Sequence, residues 1–281
     1  MDKILTMPSL WAILPEEIAY TQQVFVSYLK NLGKGTDQLV QKASMLDIDI
    51  RKIPAGFIMD GDIAIMQVEG TITPKADLFS FLFGGSTIDV MTRDFKALVA
   101  DDSVKAIVLD IDSPGGVVNG GFEFAELIFE ARSAKPIVAI SGTIMASMAM
   151  LIALAAEDVV ITSESVVSGS LGILLNHVDI SGLQKEMGVK TTSITAGKFK
   201  AISSPFEPLS KEGREDLQRQ VDHVNEAMVN MVARFKGVSV ETVNSEMGDG
   251  KTFLGSEGIK AGLVDRIMEP VELIERINAS V

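Results

Sequence analysis

Ala106-Ile107-Val108-Leu109-Asp110-Ile111-Asp112-Ser113-Pro114-Gly115-Gly116 decides the fold class. Ala106 to Ile111 is an apolar run of the kind that is buried on both faces of a parallel sheet. A Pro-Gly-Gly turn ends it, and a helical pattern follows at Phe122 to Ala131. The same alternation extends in both directions. Ile63 to Val68 reads as a strand, Thr87 to Ala100 as a helix, Pro136 to Ile140 as a strand, Met145 to Ala156 as a helix and Val159 to Ile161 as a strand. Gly182 to Met187 and Lys190 to Ile194 read as one more helix and strand. Strands that alternate with helices predict an α/β fold built from right-handed βαβ crossovers. A long amphipathic helix from Ser210 to about Phe235 follows, with Ser210 as its cap and Glu212 and Glu215 at its positive end. Short elements at Val240 to Met247 and Ser256 to Ala261, then Leu263 to Ile267 and a last helix, close the chain.

Residues 1–55 read as an N-terminal extension or docking arm. A helical pattern opens at Leu10-Trp11-Ala12-Ile13-Leu14-Pro15-Glu16-Glu17 and continues through Tyr28 and Leu29, and Gly33-Lys34-Gly35 breaks it. Residues 56–281 then form the main domain. Leu78 to Gly85, LFSFLFGG, is an apolar loop, expected to line a groove or a subunit interface because so apolar a surface is seldom left bare.

Composition removes several function classes. The 281 residues carry a net charge of −13, which opposes counterion-driven binding to nucleic acid. There is no cysteine, so thiol nucleophiles, zinc–thiolate sites and disulfides are excluded. Only two histidines are present, His177 and His223, so a Ser-His-Asp triad would need one of them. No cofactor is called for. Met1 to Leu14 lacks a basic n-region and a small-residue cleavage site, and Ile144 to Ala156 is too short to span a bilayer. The expectation is a soluble, cytoplasmic protein with no transmembrane anchor.

Four segments can carry chemistry. In Ile144 to Ala156, twelve of thirteen residues are apolar and one is Ser147. A helix apolar on every side is buried. The backbone N–H groups of Ser147 and Met148 fall at its positive end, where an oxyanion is stabilised. Read alone, the segment favours Ser147 as a small core residue bonded to a nearby carbonyl. Asp110 to Gly116 ends a strand at the carboxyl edge of the sheet, where open α/β folds bind ligands, and glycine lets backbone approach closely. A plain turn accounts for it equally. Lys198 and Lys200 sit in Ala196-Gly197-Lys198-Phe199-Lys200-Ala201-Ile202-Ser203-Ser204-Pro205. A lysine acts as a base where apolar surroundings lower its pKa; a solvated surface lysine is the plain alternative. Ser168-Gly169-Ser170-Leu171-Gly172 is either a turn or a pair of hydroxyls able to hold an amine.

In the same chain order, these segments resemble the signal peptide peptidase A family. The resemblance lies in Val68-Glu69-Gly70-Thr71-Ile72, the Asp-Ser-Pro-Gly-Gly turn, Ala146-Ser147, Gly169-Ser170-Leu171-Gly172 and Gly197-x-x-Lys200-x-x-x-Ser204-Pro205, and it covers about residues 60 to 270. It implies a crotonase-like (ClpP-like) βα superhelical fold with an N-terminal helical extension. It also implies a serine endopeptidase with Ser147 as nucleophile and Lys200 as general base. Lys200, not Lys198, keeps the family's spacing. Gly115 or Gly116 and Met148 are the implied oxyanion donors, and Ser170, or else Ser168, orients the lysine.

Met148-Ala149 departs from the Gly-Gly that often follows the nucleophile in cellular members, and their membrane anchor is missing. The stretch around Leu10 to Glu17 resembles the phage minor capsid proteins of the family. The implied role is phage prohead maturation, in host cytoplasm or procapsid interior, on a scaffold supplied as a separate protein. The expected partners are a polypeptide substrate, other copies in a homo-oligomer, and portal or capsid proteins. Alternatives are a soluble peptidase for signal-peptide-like substrates, a catalytically silent capsid subunit, and an acyl-CoA enzyme on the same scaffold.

Overall fold

The computed structural model describes residues 11–13, 53, 55–76 and 85–280. In chain order its elements begin with β1 (Trp11–Ile13), β2 (Phe57–Asp60), β3 (Ile63–Glu69), α1 (Ile88–Ala100), β4 (Ala106–Asp112), β5 (Gly115–Val117) and α2 (Gly121–Ala131). They continue with β6 (Ile137–Ser141), β7 (Ile144–Ala146), α3 (Met148–Leu154), β8 (Asp158–Ile161), β9 (Val167–Gly169) and α4 (Ser181–Glu186). The last are α5 (Lys211–Lys236), a short helical segment formed by Val240–Thr242 and Val243–Met247, β10 (Thr252–Leu254), α6 (Ser256–Lys260), β11 (Arg266–Ile267) and α7 (Pro270–Asn278).

The main sheet has the order β11-β8-β6-β4-β3-β2. All its pairings are parallel except the β2–β3 hairpin at the edge. Both faces of its centre are covered, which is why β4 and β6 are apolar at nearly every position. Ile107, Leu109 and Ile111 of β4 point into the large core shared with α1, α2 and α3. Ala106 and Val108 point the other way, into a smaller core closed by Leu273 and Ile277 of α7. The period of two that separates these sets also places Asp110 on the α7 face, beside Glu69 and Asp112, where that helix no longer covers the sheet.

A second sheet, β10-β9-β7, stands beyond the carboxyl ends of the main strands. Its β7 is joined to the β4–β5 turn: Ser113 N–H donates to Ile144 C=O at 2.9 Å, and Ala146 N–H donates to Ser113 C=O at 3.1 Å. Ile144–Ala146 is therefore a strand, not the first turn of the buried helix. The helix begins at Met148, and every residue from Met148 to Leu154 is buried.

The Val68–Ile72 motif explains how β5 is held. Gly70 turns the chain with φ 59°, and Ile72 comes back alongside β5. Its N–H donates to Gly115 C=O at 2.9 Å, and its C=O accepts from Val117 N–H at 3.0 Å. The strands lie so close that a Cβ on Gly116 would stand 2.0 Å from Ile72 O.

Helix α5 spans Lys211–Lys236 as the pattern predicts, capped by Ser210, whose Oγ accepts from Gly213 N–H at 3.0 Å. Its C-terminal half enters the core through Met228, Val229, Val232, Ala233 and Phe235, and Phe235 stacks on Phe129 at 4.7 Å. Its N-terminal half buries only Gly213 and Leu217.

Two further sequence expectations fail. Lys190 to Ile194 is not a strand: it is exposed coil, with Ile194 95% exposed, and it pairs with no sheet. Its alternating residues have no partner edge to satisfy them. Trp11–Ile13 is not helical but is paired antiparallel to β5, because the open edge of that strand offers N–H and C=O groups to an extended segment. The rest of the N-terminal helical pattern, and the apolar loop as far as residue 84, lie outside the described residues.

Partial desolvation, and after it Glu69 and Asp112, push the Asp110 carboxyl above its ordinary value. A carboxyl raised on folding holds its proton more tightly in the folded chain, so stability falls as pH rises past the unfolded value. Asp110→Asn is therefore expected to raise the melting temperature at about pH 7 and to leave it unchanged at about pH 3, where both states are protonated. Gly116→Ala drives a methyl into backbone and is expected to cost about 1–3 kcal/mol in chemical denaturation. Gly182→Ala in α4, where a Cβ meets nothing within 4 Å, is expected to stabilise by about 0.5–1 kcal/mol.

Candidate active site

Ser147 occupies the single residue between β7 and α3. Its backbone has φ 56° and ψ −117°, a conformation that L-residues other than glycine seldom adopt and that costs about 1–3 kcal/mol. The flanking segments over-determine it. On one side Ala146 is fixed to Ser113. On the other, seven buried residues of α3 lock the helix into the core, each large side chain contributing roughly 1.5–3 kcal/mol of burial. Together they exceed the strain severalfold. A side chain on a sharp strand-to-helix turn is pushed out from the backbone on both sides, the device that presents a nucleophile at the top of a sheet. Ser147 is only 1% exposed, yet among the described residues its Oγ has no hydrogen-bond partner. It is thus not the core serine bonded to a carbonyl that the segment alone favours.

The backbone donors around Ser147 are unequal. Its own N–H donates to Gly169 C=O at 2.7 Å and is not available to a ligand, contrary to the reading that counted it at the helix start. Met148 is the first helical residue, and its N–H is one that a helix leaves without an internal partner. Gly115, at φ 103°, directs its N–H to Ser113 Oγ at a long 3.2 Å, and that hydroxyl in turn donates to Gly70 C=O at 2.6 Å. Gly116 N–H faces away from Ile72, because its neighbours' C=O and N–H are the groups that Ile72 uses. It points to the outer edge of β5. Met148 also packs against the start of α2: a Cβ on Gly121 would stand 2.5 Å from its sulfur, so helix and turn are mutually placed.

The Ser168–Ser170 segment, the end of β9 and the residue after it, lies against Ser147 through the Gly169 carbonyl. Ser168 is fully buried, and its Oγ makes a 3.4 Å contact to Phe253 C=O. Ser170 is 7% exposed and is the second serine held at positive φ, 55°. Its N–H is clamped to Lys251 C=O at 2.5 Å. Among the described residues its hydroxyl makes no hydrogen bond, which leaves it freer than Ser168 to meet an incoming amine.

The two lysines lie on exposed chain. Every residue from Lys185 to Lys200 is exposed. Lys198 Nζ pairs with Glu212 Oε1 at 2.5 Å and lies 5.5 Å from the Phe199 ring centroid. Lys200 Nζ has no hydrogen bond or ion pair among the described residues. The structure therefore brings together Ser147, Met148, Gly115, Gly116, Ser168 and Ser170, and among the described residues Lys200 makes no hydrogen bond or ion pair with any of them. Neither histidine reaches Ser147: His223 is exposed on α5, and half-buried His177 has an unpartnered Nε2.

Ser113, Gly70 and Ile72 went unassigned in the sequence although they brace the turn. Their signal was the pair of motifs Val68–Ile72 and Asp112–Gly116. Each lacks meaning until the two are seen to touch.

A model of the Clp protease family matches residues 86–169, and one of peptidase family S49 matches residues 130–281. Head-tail preconnector protein GP5 of Enterobacteria phage P21 is 32% identical over 212 residues, 75% of this chain and 42% of that protein. Capsid assembly protease C of Escherichia phage lambda is 29% identical over 217 residues, 77% of this chain and 48% of that protein. A putative signal peptide peptidase SppA of Enterococcus faecium is 30% identical over 176 residues, 61% of this chain and 50% of that protein. The chain thus spans about half the length of these relatives. Among the described residues no helix is long and apolar enough to cross a membrane. The fold is α/β and Clp-protease-like, and with the S49 model matched over more than half of its length the chain belongs to peptidase family S49.

Proposed function

We propose that the chain is a serine endopeptidase in which Ser147 is the nucleophile and Lys200 the general base. The observation that carries this reading is the unpaired Ser147 hydroxyl, held on a strained turn between two backbone donors. Neutral Lys200 takes the Ser147 proton as Oγ attacks a peptide carbonyl. The N–H of Met148 and that of Gly116 (or Gly115) bind the oxyanion, a contribution worth about 10²–10³ in rate per donor. The acyl-enzyme forms as the peptide C–N bond breaks and Lys200 passes its proton to the leaving amine. Lys200 then activates the water that hydrolyses the ester. Ser170, or else Ser168, orients the amine. The scaffold is the crotonase-like superhelix, with residues 56–281 as the peptidase domain and residues 1–55 as its extension.

Among the described residues Lys200 has no apolar enclosure, and a lysine needs one to serve as a base. The segment that carries it also exposes Met187, Val189, Ile194 and Phe199, apolar surface of the kind that copies of a chain cover in an assembly. The same reading therefore puts the complete dyad in a homo-oligomer, where that segment is packed beside a Ser147. The phage relatives favour capsid scaffold as the substrate and the prohead as the setting. The named signal peptide peptidase relative keeps a signal-peptide-like substrate as the second reading.

Ser147→Ala is expected to abolish fluorophosphonate labelling and peptide hydrolysis while keeping the circular dichroism spectrum. Retained hydrolysis removes Ser147 from the mechanism. Lys200→Ala is expected to lose about 10²–10⁴ in kcat, the range of a general base, and Lys198→Ala to stay within a few-fold of the parent. Mixing unfolded Ser147→Ala and Lys200→Ala chains and refolding them together is expected to restore activity if one copy's lysine serves another's serine. No recovery places the dyad within one chain.

A further inference from the structure

The two edges of β5 are used differently. Ile72 takes the inner edge through the Gly115 C=O and the Val117 N–H. Alternation along an extended strand turns the N–H and C=O of Gly116 to the outer edge. That edge is occupied by β1, in antiparallel register, with Trp11 opposite Val117, Ala12 opposite Gly116 and Ile13 opposite Gly115. An extended piece of the chain's own N-terminal region thus lies against Gly115 and Gly116, whose turn is hydrogen-bonded to the strand that ends just before Ser147, in the position a polypeptide takes to present a carbonyl there.

We infer that Trp11–Ile13 is an internal competitor for the substrate edge: it caps the free backbone groups of β5 in the resting chain and leaves when an extended polypeptide binds. The word substrate rests on the peptidase reading above; the competition is a property of the edge itself. Two features fit an occupant that leaves. The strand has only three residues, so it offers few ladder bonds, each contributing about 0.5–1.5 kcal/mol net. It is also tethered through residues 14–56, and a tether supplies an effective concentration in about the millimolar range, enough to hold a contact that is weak between separate molecules. A competitor of this kind lowers the apparent affinity of every substrate by the fraction of time that the edge is free.

The test uses the full chain carrying Ser147→Ala, so that nothing is cut, and a fluorescent peptide with the sequence of residues 8–16. Binding is read by anisotropy, and exchange of the Gly116 amide is read by hydrogen–deuterium exchange. Ala12→Pro removes the N–H that faces Gly116 C=O and cannot sit in the ladder. Ile13→Pro is the control, since the N–H of residue 13 points away from β5 by the same alternation. The expected result is peptide binding at least about tenfold tighter in Ala12→Pro, as for an edge free in a tenth of parent molecules. Gly116 exchange is expected to be faster in that variant without peptide, and Ile13→Pro to match the parent in both readouts. Equal affinity in all three proteins overturns the inference. So does loss of the cooperative melt in Ala12→Pro, which makes β1 a permanent structural strand. Neither readout requires catalysis, so a failure of the peptidase reading shows in the Ser147 and Lys200 variants and not here.

Discussion

The burial of α3 is the constraint on which the rest depends. Its seven residues are inaccessible to solvent on every side, held by α2 and α5 and by the strands beneath. A helix so enclosed cannot shift its start to relieve a neighbour. The chain leaves β7 in a strand bonded to Ser113 and must enter that fixed helix one residue later, so the reversal is concentrated in Ser147. The strained backbone is a consequence of packing, and it gives a small polar side chain an orientation that no ordinary helix start provides.

The same logic of enforced proximity shapes the glycine turn. Ile72 comes within a distance of Gly116 that no Cβ tolerates, and its two hydrogen bonds assign each backbone group of β5 to one edge or the other. Ser113 ties this turn to β7 through both its N–H and its C=O. The proposed nucleophile and donors are therefore parts of one hydrogen-bonded unit that spans Gly70 to Gly169. Substitutions at Gly70, Ser113 or Gly116 act on the site through its geometry, although none of these side chains enters the reaction.

Much of the central sheet was legible in sequence because its signals are local. β4 and β6 are apolar at nearly every position, α5 has its period and its cap, and the turn residues stand where the strands end. Ser147 was legible as a lone hydroxyl in an apolar helix. What escaped has a physical reason in each case. Ile144–Ala146 merged into the helical run because an apolar run carries no period of its own. Trp11–Ile13 took the conformation demanded by an edge that lies about a hundred residues further along the chain. Lys190–Ile194 has a strand-like pattern but meets no edge. The choice between Lys198 and Lys200 rested on spacing. The ion pair of Lys198 with Glu212 now adds an independent reason, although an exposed pair of this kind holds a side chain only weakly.

The site therefore divides into two parts with different mechanical character. The half proposed to bind a carbonyl and supply the hydroxyl is built from buried residues, where any rearrangement means opening the core. The half proposed to supply the base sits on a fully exposed segment beyond the weakly buried end of α5, where rearrangement costs little. On the proposed mechanism, rigidity belongs where charge develops in the transition state, because donors already in place need no reorganisation. The lysine has a different need, which is desolvation, and the described residues of one chain do not meet it. Making the base depend on a surface that only assembly covers would keep a lone copy inactive. A Ser–Lys pair is suited to that arrangement: an ammonium in water is protonated at neutral pH, and covering it with apolar surface is the step that makes it a base.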